Sequence, residues 1–220
     1  MTNQPAFAQN PDELFDVLDA HGVPTGVSRR RADIHRDGDW HRSVHIWIIG
    51  GEGRNAWIIF QQRGAHKDTH PNLLDASVAG HLGTGETMWD ALREAEEEIG
   101  LKVTAEMANH IGCRLAALEK GAIRDNEIQE IIFVQATADL TDYHPNPAEL
   151  EALVRIRIAD LIPVLSGQES WCWGLERKAN GAEGRIRIHR DHFIPTIDNY
   201  FLRIAIGAQA WLTNPENYCV

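Results

Sequence analysis

Glu94, Glu97 and Glu98 stand at i, i+3 and i+4, a spacing that brings three carboxylates to one side of a helix. Like charges stacked this closely repel one another unless a cation sits between them. Magnesium suits such a cluster, because it takes hard oxygen ligands and keeps its remaining positions for water and phosphate oxygens. Manganese is the natural substitute. A cation so held can stabilise charge on a phosphoryl group and activate water. The plain alternative is a solvated acidic face, since glutamate-rich helices are common. Glu96 falls off the shared face and is expected in solvent, while Arg93 adjoins the cluster and can hold one carboxylate in place.

The helix that must carry these acids is predicted over Trp89–Ile99. Trp89, Leu92, Ala95 and Ile99 recur at three and four residues and form one buried stripe. Gly100 stops the run, and Thr87 is placed as N-cap with Asp90 completing a capping box. Ahead of it, residues 14–28 read as a hairpin-like element, and His45–Ile49 and Ala56–Gln61 as adjacent strands. Residues 62–79 read mostly as loop. Further strands are predicted over 112–118, 129–136, 153–158 and 185–189, a short helix from Asp160, a loop over 143–147 and a helix over 194–211. Arg29, Arg30 and Arg31 form either a phosphate patch or a solvated face.

Composition narrows the setting. The 220 residues allow one substantial core with a small elaboration. A formal charge of −11 argues against a nucleic-acid polymer or an anionic membrane as partner. It is compatible with a phosphorylated small molecule whose contacts run through a cation. Cys113, Cys172 and Cys219 are widely spaced and odd in number, so neither a disulfide framework nor a thiolate metal site is expected. With no basic, apolar leader and no run long enough for a membrane span, a cytoplasmic location is expected. The organisation expected is a flexible leader over 1–13, a domain over 14–165 and an extension over 166–220. The extension would pack on the domain or at a dimer surface, so the chain is either a monomer or a homodimer.

Gly80–Glu86 and Arg93–Leu101 together resemble the signature of the Nudix hydrolases. That pattern runs glycine, five residues, glutamate, seven residues, then Arg-Glu-apolar-any-Glu-Glu-any-Gly-apolar. One departure stands out, since only Thr87–Leu92 lie between Glu86 and Arg93, one residue short of the pattern. The resemblance implies an α/β (α+β) fold with a mixed sheet sandwiched between helices. It implies Mg2+ on Glu94, Glu97 and Glu98, a backbone ligand from Gly80, and Arg93 orienting a catalytic acid. The activity implied is hydrolysis of a diphosphate linkage in a small molecule, such as a nucleoside diphosphate joined to another moiety.

Residues 35–47, Gln61-Gln62-Arg63 and Ala79-Gly80-His81 look like the branch of that family containing isopentenyl-diphosphate isomerases. The isomerases carry a cysteine just before the Gly-His step. Here Asp75-Ala76-Ser77-Val78-Ala79 occupies that stretch, in which valine carries no proton to transfer and Ser77 is too weak an acid to replace a thiol, and no cysteine occurs before Cys113. Isomerisation is therefore the alternative reading, and a catalytically silent binding module is another. The branch implies a metal role for His81, against a loop histidine with satisfied hydrogen bonds. It implies Glu127 as an added ligand or as the base, against an edge residue in solvent, and Arg63 and Lys67 as diphosphate contacts. His41 and His45 alternate with Val44 and Ile46, so either can face substrate, and His45 is carried as a substrate contact. Trp47, Trp57 and Trp89 are expected in the core.

Overall fold

A computed structural model describes residues 10–67 and 69–214. Most of the expected leader, residues 1–9, and Cys219 lie outside the described residues. The chain runs β1 (Leu14–Leu18), β2 (Pro24–Arg30), α1 (Arg31–Asp37), β3 (Trp40–Gly50), β4 (Trp57–Arg63), β5 (Leu74–Asp75) and β6 (Val78–His81). It continues through α2 (Arg93–Ile99), β7 (Ala108–Lys120), β8 (Ile123–Gln135), β9 (Leu150–Arg157), α3 (Ile158–Leu165), β10 (Cys172–Lys178), β11 (Glu183–Ile188) and α4 (Tyr200–Thr213). β1 and β2 pair alone, and the other strands form one mixed sheet ordered β11-β10-β9-β4-β3-β8-β7, with β5 on β4 and β6 on β3.

Alternation along the central strands explains the layers. In β3, Val44, Ile46 and Ile48 face one way and pack with Ile59, Ile132, Ala95 and Ile99 beneath α2. Trp47 and Ile49 face the other way and join Phe60, Phe133, Leu161, Val164, Phe201 and Trp211 beneath α3 and α4. Each large side chain so buried contributes roughly 1.5–3 kcal/mol before entropy is counted. A mixed sheet between helices results, as the resemblance implied. No helix among the described residues is long and apolar enough to cross a membrane.

The β3–β8 pairing is parallel and places His41 opposite Glu127 and Ser43 opposite Gln129. β6 lies antiparallel on the same strand, with His81 opposite Ser43 and Ala79 opposite His45. One sheet face therefore collects residues drawn from distant parts of the sequence.

Several expectations are corrected here. The acidic helix begins at Arg93 rather than Trp89, and Asp90–Leu92 form a 3-10 turn. Only half of the capping box forms. The Asp90 carboxylate accepts from the Thr87 N–H at 2.9 Å, but the Thr87 hydroxyl turns to the same carboxylate at 2.7 Å. This tighter turn falls where the sequence is one residue short. Trp89 lies outside the apolar stripe and is 40% exposed. Residues 74–75 and 78–79, read within a loop, belong to strands β5 and β6, and α1 and β10 were not foreseen. The last helix starts at Tyr200. Ahead of it Pro195 interrupts any helix, and Asn199 takes a left-handed φ of 52°.

Candidate functional site

Helix α2 is fixed at both ends. Gly100 takes φ 72°, its N–H reaches Glu96 O at 3.1 Å, and the Leu101 N–H reaches Ala95 O at 3.0 Å, a glycine-terminated helix end. The loop over 143–147 satisfies further carbonyls: the His144 N–H bonds Ile99 O and the Asn146 N–H bonds Glu98 O, both at 2.8 Å. With the helix pinned, Glu98 turns inward and is 5% exposed. Glu94 is half-buried, and the Glu97 side chain stands 61% exposed at the rim. Gly80 lets Glu94 lie against the β6 backbone, because a Cβ at Gly80 would overlap Glu94 Cγ and Cδ.

Arg93 lies against the carboxylates. Its guanidinium contacts the Glu94 carboxylate at 2.5 Å and Glu86 at 3.3 Å. Glu86 in turn accepts from the Gly83 N–H at 2.7 Å. Glu98 has weaker support, accepting from Gln61 Nε2 and the Ala79 N–H at 3.4 Å each. Burial pushes the Glu98 carboxyl well above its ordinary range, and the charge of Glu94 adds to this. Burial likewise lifts Glu94 to about 7, against the opposing charge of Arg93. Both carboxyls are therefore easier to protonate than a free glutamate, and a cation bound between them would compete with those protons.

This has a pH signature. Between 4.5 and about 7 the metal-free folded protein binds protons at Glu94 that the unfolded chain has already released. Its stability contribution is full below that window and is lost as pH rises through it. A divalent cation bound among these carboxylates would take the place of those protons, so any rise in melting temperature caused by Mg2+ should grow from about pH 5 to about pH 7. Scanning calorimetry with and without Mg2+ tests this. An Mg2+ effect independent of pH would remove Glu94 and Glu98 from the cation site.

Beside this pair lies a second cluster that the sequence reading only partly found. His35, His41, His81 and Asp125 each direct one ligand atom to a common point, all within 4.8 Å of one another. His35 Nε2 and His41 Nε2 lie 3.5 Å from Asp125 Oδ1, and His81 Nε2 lies 2.9 Å from Glu127 Oε1. His81 Nε2 thus rests against Glu127, whereas His35 Nε2, His41 Nε2 and Asp125 Oδ1 are buried without a hydrogen-bond partner among the described residues. Buried polar atoms left this way cost about 1–3 kcal/mol each. A cation bound among these atoms would offset that cost.

The His41 ring is already set for this, since its Nδ1 lies 3.1 Å from Asp39 O, which leaves Nε2 free as an acceptor. His81 is not, because Arg31 Nη1 sits 3.0 Å from its Nδ1 and can only donate. A cation at His81 Nε2 therefore displaces the Arg31 contact. Burial, and then the Arg31 charge, hold His81 down at about 3. Burial and the Glu127 charge lift Asp125 to about 8. Burial would raise Glu127 too, but its contact with His81 and the neighbouring histidines hold it well below the ordinary range. Glu127 thus stays ionised, which fits a ligand better than a base. It lies within β8, not on a solvent-facing edge.

Both clusters open on one cavity of about 570 Å³. Arg63, Lys67 and His45 line it, as do Arg31 and Arg114. Arg63 is braced by Asp75 at 3.0 Å and by Thr69, and Lys67 pairs with Glu149. Of the arginine triplet, Arg29 and Arg30 pair with aspartates outside the cavity, and Arg31 turns into it. Neither Cys113 nor Cys172 lines it. Phe15 of β1 roofs the histidines, stacking on His81 at 4.8 Å and on His41 at 5.5 Å.

His35 and Asp125 escaped the sequence reading. Asp125 lies two residues before Glu127 on one strand, and that period-two spacing was a usable signal. His35 sits on α1, and no local pattern links it to His81. Tyr200, Arg114 and Asp198 were also missed.

Comparison with known proteins gives a consistent family. The profile described as NUDIX domain matches residues 39–171. An uncharacterised Nudix hydrolase of Clostridium acetobutylicum is 29% identical over 194 residues, covering 86% of this chain and 94% of that protein. Nudix hydrolase 3 of Arabidopsis thaliana is 36% identical over 151 residues, covering 67% of this chain but 18% of that much longer protein. An isopentenyl-diphosphate Delta-isomerase of Escherichia coli is 25% identical over 177 residues, covering 78% of this chain and 92% of that one. Among solved structures, DR0079 of Deinococcus radiodurans superposes with a TM-score of 0.50 at 20% identity, covering 71% of this chain and 91% of that one.

Proposed function

The chain belongs to the NUDIX domain family and is a hydrolase of that family, and on that premise we propose that it cleaves a diphosphate linkage in a small molecule with Mg2+ held by Glu94, Glu97 and Glu98. The observation that carries this reading is the buried Glu94–Glu98 pair, packed against Gly80 with more carboxylate than cation around it. Mn2+ would serve in the same place. The Gly80 carbonyl is the proposed backbone ligand, and Glu97 the outermost carboxylate.

A bound divalent ion offsets charge on phosphoryl oxygens and makes water acidic enough to attack at neutral pH. The rest of the reaction falls to the side chains. Arg93 fixes Glu94 in one orientation. Arg31, Arg63, Lys67 and Arg114 offer N–H groups and positive charge to the two phosphates. A carboxylate of the α2 set, or Glu127, takes the water's proton. His35, His41, His81, Asp125 and Glu127 form a nitrogen-rich site suited to a transition metal rather than to Mg2+. A cavity of this size suits a small molecule.

The test is a turnover screen with Mg2+ or Mn2+ over nucleotide sugars, dinucleoside polyphosphates, ADP-ribose, NADH and prenyl diphosphates. Release of a monophosphate product from one class supports the reading. Dimethylallyl diphosphate formed from isopentenyl diphosphate would replace it with isomerisation, for which Ala79 offers no proton. No turnover across the panel would favour a silent binding module.

A further inference from the structure

His45 lies opposite Ala79 on β3, is 7% exposed and lines the cavity between the two metal-ligating clusters and the basic residues. Its Nδ1 sits 2.9 Å from the Tyr200 hydroxyl. The same hydroxyl accepts from Trp47 Nε1 at 3.1 Å. Tyr200 is itself buried, at 3% exposure. Indole N–H is only a donor, so the phenol oxygen accepts there and its single proton must go elsewhere. His45 Nδ1 is its one acceptor among the described residues. Were Nδ1 the protonated nitrogen, the phenol proton would be left buried and unpaired, at a cost of about 1–3 kcal/mol. The chain of donors therefore runs from Trp47 to Tyr200 to His45 and leaves the imidazole proton on Nε2. Burial, the largest influence, lowers the His45 pKa, so the neutral ring is the form present. No protein group among the described residues bonds Nε2, and that atom is not sealed from solvent.

Tyr200 is locked from the other side as well. Arg114 lies over its ring, 4.1 Å from the centroid, and grips Asp198 through two bonds of 2.8 and 3.0 Å. Arg114 also donates to Gln129, which donates to Glu127. The segment before α4 is thereby keyed to the floor of the cavity at two points.

We propose that Tyr200 is a positioning residue that fixes His45 as a neutral donor, its Nε2–H held for a phosphoryl oxygen of the bound substrate. The contact with phosphate rests on the diphosphate reading above, whereas the fixed tautomer does not. The C-terminal extension then takes part in catalysis through His45 rather than only covering the core.

The experiment uses the full chain labelled with 15N-histidine and, as probe, methylenediphosphonate with Mg2+. Long-range 15N spectra should show His45 with an unprotonated Nδ1 and a protonated Nε2, the signals being identified by their loss in His45→Gln. The probe should shift Nε2. In Tyr200→Phe the tautomer preference should be lost and the probe should bind about tenfold more weakly, as for one hydrogen bond to a charged group. Should that variant fold poorly, His45→Gln and His45→Leu provide a second comparison. Glutamine can keep an N–H in place, so it should retain more binding than leucine. A protonated Nδ1 in the unsubstituted protein, or equal binding by Gln and Leu variants, overturns the relay. Failure of the probe to bind the unsubstituted protein overturns the diphosphate reading and the phosphate contact, with the tautomer result standing apart.

Discussion

Replacing Glu98 by glutamine is expected to lower kcat by about a hundred- to a thousandfold while leaving the metal-free protein at least as stable as before. The two halves of this result come from the same cause. Glu98 is buried beside Glu94, and burial together with that neighbouring charge disfavours its ionised form. Glutamine has the same shape and keeps an oxygen to accept from Gln61 and the Ala79 N–H. It removes a charge that the metal-free fold must otherwise neutralise with a proton. What it cannot do is serve as an anionic ligand. The kinetic loss should thus come with a loss of the Mg2+-dependent rise in melting temperature. Steady-state kinetics and calorimetry on the same preparation check both. Full activity would move the reaction away from α2, and a lower metal-free melting temperature would mean that the carboxylate is structural.

The second large effect concerns the other cluster. His81→Ala is expected to weaken binding of Zn2+ or Mn2+ by about a hundredfold or more, judged against the smaller losses seen when an outer partner is removed. His35, His41, Asp125 and Glu127 remain in this variant, but one of the three nitrogens of the set is gone. Cation binding in the unsubstituted protein must also expel the Asp125 proton, so it should release protons to buffer near neutral pH, whereas the neutral His81 ring only shifts its proton from Nε2 to Nδ1. Metal content after dialysis, and proton release by calorimetry in buffers of different ionisation heat, measure these. Glu98→Gln should keep the transition metal that His81→Ala loses. Equal loss in both would mean one shared site.

How much of this was legible in the sequence follows from the distance over which each signal acts. The spacing of Glu94, Glu97 and Glu98 is local, and the helix period puts them on one face. Gly80–Glu86 and Arg93–Leu101 added the family resemblance. The start of that helix was misjudged because an apolar residue at a helical interval, Trp89, outweighed the missing residue before Arg93. Asp90 and Thr87 hold a tighter turn there. His35 on α1, His41 on β3, His81 on β6 and Asp125 on β8 converge only through strand pairing, which a single sequence does not display. Tyr200 was hidden differently. It sits at the first position of a helix whose apolar pattern reads as packing, and its hydroxyl finds His45 only once α4 lies on the sheet.

The parallel pairing of β3 with β8 has a consequence for the order in which the protein assembles. His41 meets Glu127 only after the long intervening chain has closed its loop and found its register, and such non-local pairing is slow to form. Phe15 can then settle over His41 and His81 only when the β1–β2 hairpin docks on that finished surface. The residues of the nitrogen-rich cluster are therefore expected to come together late in folding rather than in its nucleus. A cation captured there would reward a chain that has already found its topology.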